Sequence, residues 1–190
     1  MSYLYTNLIN TTNCSITSGT ISSLNTASTL LVTSITSGNI NITSQINNSN
    51  KQYMTAYVST SQSLSTGVSA IVTNWTVISS NGITSNSGTF TVALPGLYFV
   101  GLNIGFAFNT NGNRASWCWK NGSTTDTERY GNTTWASTVG ERTDIPLAFI
   151  IFMNTGDTIQ PWAWQNCGST ISINGDTTFQ MTKFFMYKIC

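Results

Sequence analysis

Histidine is absent from this chain of 190 residues, and charge is nearly so: seven Lys and Arg against six Asp and Glu leave 7% of residues charged and a net charge of +1. Without an imidazole there is no Ser-His-Asp or Cys-His pair and no His-ligated zinc, the commonest routes to catalysis at neutral pH. The chain is therefore read as a non-enzyme with no cofactor. So weak a charge gives no grip on phosphate backbones or anionic lipid, which sets aside nucleic acid and membrane surfaces as partners. The longest apolar run, Ile145 to Met153, is too short to span a bilayer as a helix. Nor does Met1-Ser2-Tyr3-Leu4-Tyr5 resemble a secretory leader, because it runs into polar residues with neither a basic start nor an apolar segment.

Cysteine is scarce as well. Cys14, Cys118, Cys167 and Cys190 stand too far apart in sequence for a zinc knuckle or a redox pair. Buried free thiols are expected; a Cys118–Cys167 bridge stays open, since both lie in Trp-containing segments.

What the chain has in quantity is Ser, Thr and Asn, which supply 77 of the 190 residues beside a hydrophobic fraction of 40%. Such a chain can build a core and solubilise its surface with hydroxyls and amides. The first fifty residues contain no charge at all, and within them Ser15-Ile16-Thr17-Ser18-Gly19-Thr20-Ile21 recurs 19 positions later as Ser34-Ile35-Thr36-Ser37-Gly38-Asn39-Ile40. Repetition of this kind suggests a stacked unit. One copy of so thin an apolar stripe cannot offset about 1–2 kcal/mol of backbone entropy per residue, whereas several chains wound together could bury it along a shared axis. Residues 1–52 are thus expected to form a β-repeat stalk that trimerises and anchors, the alternative being a disordered Ser/Thr/Asn linker.

From Tyr53 onward the pattern changes to alternating apolar runs bounded by turn pairs, the mark of an all-β sandwich, jelly roll or barrel. In the clearest run Tyr98, Val100, Leu102, Ile104, Phe106 and Phe108 share one face. The closing segment Phe179 to Ile189 is apolar on both faces: Phe179, Met181, Phe185, Tyr187 and Ile189 on one, with Phe184 and Met186 breaking the polar character of the other. A strand of that kind is expected where a second surface covers it. Asn111-Gly112, Asn121-Gly122 and Asn174-Gly175 are expected to be tight turns, because both residue types tolerate the positive φ that hairpins demand.

Phe90-Thr91-Val92-Ala93-Leu94-Pro95-Gly96-Leu97-Tyr98-Phe99-Val100 resembles the Phe, five residues, Gly-x-Tyr-x-aromatic signature of the tumour necrosis factor and complement C-one-q superfamily. Trp119-Lys120-Asn121-Gly122 is similar to that family's Lys-Asn-Gly hairpin, and Thr155-Gly156-Asp157-Thr158-Ile159 to its Gly-Asp-x-Val turn. Ile83 stands where the pattern has Phe, Tyr, Trp or Leu. The resemblance covers about residues 53–190 and implies a ten-stranded antiparallel jelly roll whose subunits form a homotrimer. Tyr98, Phe179, Met181, Phe185 and Tyr187 are the residues expected at the contact between copies, since exposed apolar patches mark interfaces.

A shaft rich in Thr, Ser and Asn ahead of such a head resembles surface proteins of large DNA viruses. The leading expectation is a trimeric fibre or spike on a virion or capsid surface, held to other particle proteins through the stalk and contacting a host glycan or receptor. The alternative is a secreted lectin-like or cytokine-like trimer. Trp135, in a polar stretch, is the candidate for partner contact, with loop-plugging as its competing role. Trp75, Trp117, Trp119, Trp162 and Trp164 are expected to pack in the core or an interface. Asp126, Glu128, Glu141 and Asp144 could ligate Ca²⁺, but Arg129 and Arg142 beside them favour solvated loop charges and no metal site.

Overall fold

The computed structural model describes residues 51–122, 129–137 and 140–189. The repeat stretch, and with it the expected stalk, lies outside the described residues, as do Cys14, Cys190, Asp126 and Glu128. Every regular element among those described is a strand: β1 (Tyr53–Val58), β2 (Gln62–Leu64), β3 (Ser69–Ile71), β4 (Trp75–Asn81), β5 (Ile83–Asn86), β6 (Thr89–Val92), β7 (Gly96–Phe106), β8 (Asn113–Lys120), β9 (Arg129–Trp135), β10 (Thr143–Met153), β11 (Thr158–Gln165), β12 (Ile171–Ile173) and β13 (Lys183–Lys188). Three of these thirteen, β2, β3 and β12, are only three residues long.

All pairings are antiparallel and build two sheets. The first runs β2-β12-β7-β13-β1-β4 with β10 along the other edge of β7; the second runs β5-β6-β11-β8-β9 with β3 beside β11. Alternation in the sequence decides which side of each strand turns inward. On β7 the residues Tyr98, Val100, Leu102, Ile104 and Phe106 are all buried, and on β13 the inward pair is Phe184 and Met186. The sheets meet where Phe90 of β6 stacks on Phe184 of β13 at 4.0 Å, with Trp75 edge-on to both rings at 5.7 and 6.1 Å. Tyr130 of β9 and Phe149 of β10 stack in the same way at 4.3 Å. Ile83, the departure from the family pattern, is buried in this core.

Of the three expected tight turns, Asn121-Gly122 has the left-handed backbone at both positions (φ 54° and 61°) and follows β8, which pairs with β9. Gly112 also has positive φ, and its turn carries the chain from β7 in the first sheet to β8 in the second. Asn174-Gly175 departs: neither residue takes positive φ, and β12 and β13 both pair with β7 and not with each other. Gly175 is needed for a different reason, since a Cβ there would lie 2.3 Å from the Thr60 carbonyl carbon.

Candidate interaction surface

The outward side of the first sheet is apolar over its centre. Strand register sets Ile150, Phe99, Tyr187 and Tyr53 in one row across β10, β7, β13 and β1, and Ala148, Gly101, Phe185 and Thr55 in the next. Phe152 and Leu97 extend the patch beyond the first row. Phe152 is 54% and Tyr187 46% exposed, high values for side chains of that size, and Leu97, Ile150, Phe185 and Ile189 are exposed with them. Phe99 ties the patch together, stacking on Phe185 at 5.8 Å and on Tyr187 at 5.3 Å.

Gly101 shapes this surface. A Cβ there would come within 2.1 Å of Phe185 Cζ, so only glycine lets the ring lie flat against β7. With Ala148 on the other side of Gly101, the row is low, and a hollow of about 400 Å³ opens between Pro146, Ala148, Asn103, Lys183 and Phe185. Large rings beside a hollow give a surface with both knobs and a recess.

The expected contact residues are distributed unevenly. Phe185 and Tyr187 stand on the outer face. Phe179, 72% exposed, sits in the turn before β13, where its N–H donates to Asp176 Oδ1 at 2.9 Å. Met181 is half-buried, and its carbonyl accepts from Asn103 Nδ2 at 2.8 Å. Tyr98 has no surface to offer a neighbour: it is fully buried, because the face of β7 that it shares with Val100 and Leu102 is the inner one. Its hydroxyl lies 2.7 Å from the Leu94 carbonyl oxygen and 2.5 Å from Gln52 Oε1. Leu97, Phe99, Ile150 and Phe152 were not among the expected contacts. β10 is apolar at odd and even positions alike, so its sequence alone does not say which set points outward.

Trp135 is 75% exposed and stands on the outer face of the other sheet, opposite Asn113. Trp117, Trp119, Trp162 and Trp164, expected in a core or interface, share that outer face, with Trp162 stacked against Trp119 at 5.4 Å and Trp117 at 6.5 Å. Trp75 alone of the six packs into the core.

No three His, Cys, Asp or Glu side chains come together among the described residues. Cys118 and Cys167 are buried and unbridged, and burial pushes the Cys118 thiol pKa well above its ordinary value. Asp144 is engaged by Arg142 at 2.7 Å, and Glu141 is exposed. No helix of the described residues is long and apolar enough to cross a membrane.

No family model matches the chain. An uncharacterized protein of Acanthamoeba polyphaga mimivirus is 33% identical over 129 residues, covering 65% of this chain and 55% of that protein. The chain thus spans about half the length of the curated relative it matches. Among solved structures, murine APRIL at pH 5.0 superposes with a TM-score of 0.55 at 12% identity, over 73% of this chain and 99% of that one. Eiger TNF from S. frugiperda gives 0.52 at 10% identity, over 74% and 92%. The fold is an all-β antiparallel sandwich resembling that of tumour necrosis factor, and a distant relative is viral.

Proposed function

We propose that the chain is a non-catalytic recognition module that works as a homotrimer, its copies meeting through the outer face of the first sheet. The observation that carries this reading is the patch of Leu97, Phe99, Ile150, Phe152, Phe185 and Tyr187 on one sheet face. An apolar surface of that continuity is unfavourable in water and marks a contact. Three copies turned about one axis close it with a single kind of heterologous interface. Light scattering coupled to size exclusion tests the proposal with the full chain. A particle of three times the 20.6 kDa chain mass is expected, and a well-folded single chain at micromolar concentration overturns it.

A second reading places this trimer as a head on a viral particle, the stalk joining it to other surface proteins. The viral relative at 33% identity supports it, as does the charge-free repeat of the first fifty residues. Antibody raised to the head should decorate intact particles of the source virus in electron micrographs. Staining confined to soluble material outside the particles would leave only the free recognition module.

A further inference from the structure

The outer face of the second sheet carries five of the chain's six tryptophans, and one small residue among them opens a pocket. Register places Ser69, Trp164, Ala115 and Thr133 as cross-strand neighbours on β3, β11, β8 and β9. The adjacent row is Ile71, Trp162, Trp117 and Gly131. Ala115 is thus a gap with an indole across the strand and another two residues along it. The resulting cavity of about 310 Å³ is lined by Ser69, Ala115, Trp117, Arg129, Thr133 and Trp164.

Trp117 stands on an outer face yet is only 4% exposed, because Trp162 lies beside it and the Arg129 guanidinium sits 4.4 Å over its ring. That wall is fixed in place before any ligand arrives, which lowers the ordering cost of binding. Trp164 is half-buried and offers the accessible indole. Trp135, two residues beyond Thr133 on the same side of β9, is about 7 Å further along and is largely exposed.

We propose that this pocket is a saccharide subsite, in which a single pyranose ring lies against Trp164 and the next sugar of a glycan lies on Trp135. A pyranose has an apolar C–H face and hydroxyls around its edge. The negative π face of an indole suits the first, and Ser69, Thr133 and Arg129 supply hydroxyl and guanidinium partners for the second. The volume falls at the small end of ligand pockets, the scale of one sugar unit. A protein partner would call for a contiguous apolar centre, and here polar groups alternate with rings. The inference rests on the recognition reading and gives it a ligand class, but a single chain forms the whole pocket.

The full chain should be applied to an array of immobilised neutral hexosides, N-acetylhexosaminides and sialosides, and the methyl glycoside of the best-retained sugar titrated by calorimetry. Saturable binding is expected, weakened at least tenfold by Ala115→Leu, which fills the pocket and leaves its walls, and by Trp164→Ala. Thermal midpoint and elution volume should stay as in the parent. Should either variant fail to fold, the indole N–H resonances of the parent decide, with Trp164 expected to shift on titration. Retention of no glycan, binding indifferent to both substitutions, or shifts confined to other indoles would each overturn the proposal. A trimer that binds no sugar removes this inference alone, and a monomer that binds one removes only the trimer.

Discussion

Tyr98 couples the core to pH through one hydroxyl. The ring is fully buried and its proton can go to only one acceptor at a time, the Leu94 carbonyl or Gln52 Oε1. Burial pushes its pKa from 10.0 to about 12, since the folded protein disfavours a buried phenolate. A group whose folded pKa is raised contributes stability that is complete below the unfolded value and disappears as pH rises through the folded one. Denaturant titrations should therefore show unfolding free energy falling between about pH 10 and 12, and Tyr98→Phe should flatten part of that fall at a cost of about 1–2 kcal/mol at neutral pH. An unchanged alkaline slope in the variant would remove Tyr98 as its source. Arg114 is the cationic counterpart, fully buried with its guanidinium donating to the carbonyls of Asn109, Asn111 and Asn113. It fastens the crossing from β7 to β8 through backbone acceptors in place of a carboxylate.

At the scale of the element, the turn entering β11 is held by Asp157. Its carboxylate accepts from Asn154 N–H at 2.8 Å and Asn121 Nδ2 at 2.9 Å and pairs with Lys120 Nζ at 3.0 Å, joining the ends of β8 and β11. Burial works to raise its pKa, but the Asn154 N–H, the Asn121 amide and Lys120 outweigh it and hold the carboxyl below the usual range. A depressed folded pKa means stability that is present above the unfolded value and is lost as pH falls through the folded one. Asp157→Asn should thus lower stability near neutral pH by about 1–3 kcal/mol and reduce its loss under acid, read from thermal midpoints across the acid range. Equal acid sensitivity in both proteins would refute it. This turn was legible through the resemblance, since Gly156 and Asp157 match the Gly-Asp-x-Val pattern, and so was the inner row of β7, Tyr98, Val100, Leu102, Ile104 and Phe106, although the apolar Leu97 and Phe99 on its outer side were not. The outer tryptophans were not. On β8 the inner positions hold Arg114, Ser116 and Cys118 while the outer ones hold Ala115, Trp117 and Trp119, the reverse of what residue polarity suggests. Period two says which residues share a face and leaves open which face is the core. The Asn174-Gly175 pair, neither of whose residues takes positive φ, departs for a related reason, since turn chemistry is local and the choice of next strand is not.

For the whole molecule, the consequence of an apolar sheet face in a chain with so little charge is that its assembly should respond to apolar surface and hardly to salt. Phe185 lies flat over Gly101 on that face, and removing it forfeits its stacking on Phe99, about 0.5–1.5 kcal/mol within one chain, while an inserted ammonium at the proposed contact would be stripped of water in every copy. If the copies assemble as proposed, Phe185→Lys is expected to give a folded species of 20.6 kDa, with the parent's strand-rich circular dichroism and a lower thermal midpoint. Trp135→Ala, on the opposite sheet, should leave the assembly intact and serves as the control. Raising salt from about 0.05 to about 1 M, which shrinks the screening length to roughly 3 Å, should leave the proposed parent assembly undissociated in sedimentation equilibrium. If Phe185→Lys stays trimeric, the contact lies on another surface; if salt dissociates the parent, ion pairs hold it together instead. Either result would detach the apolar face from the function proposed for it.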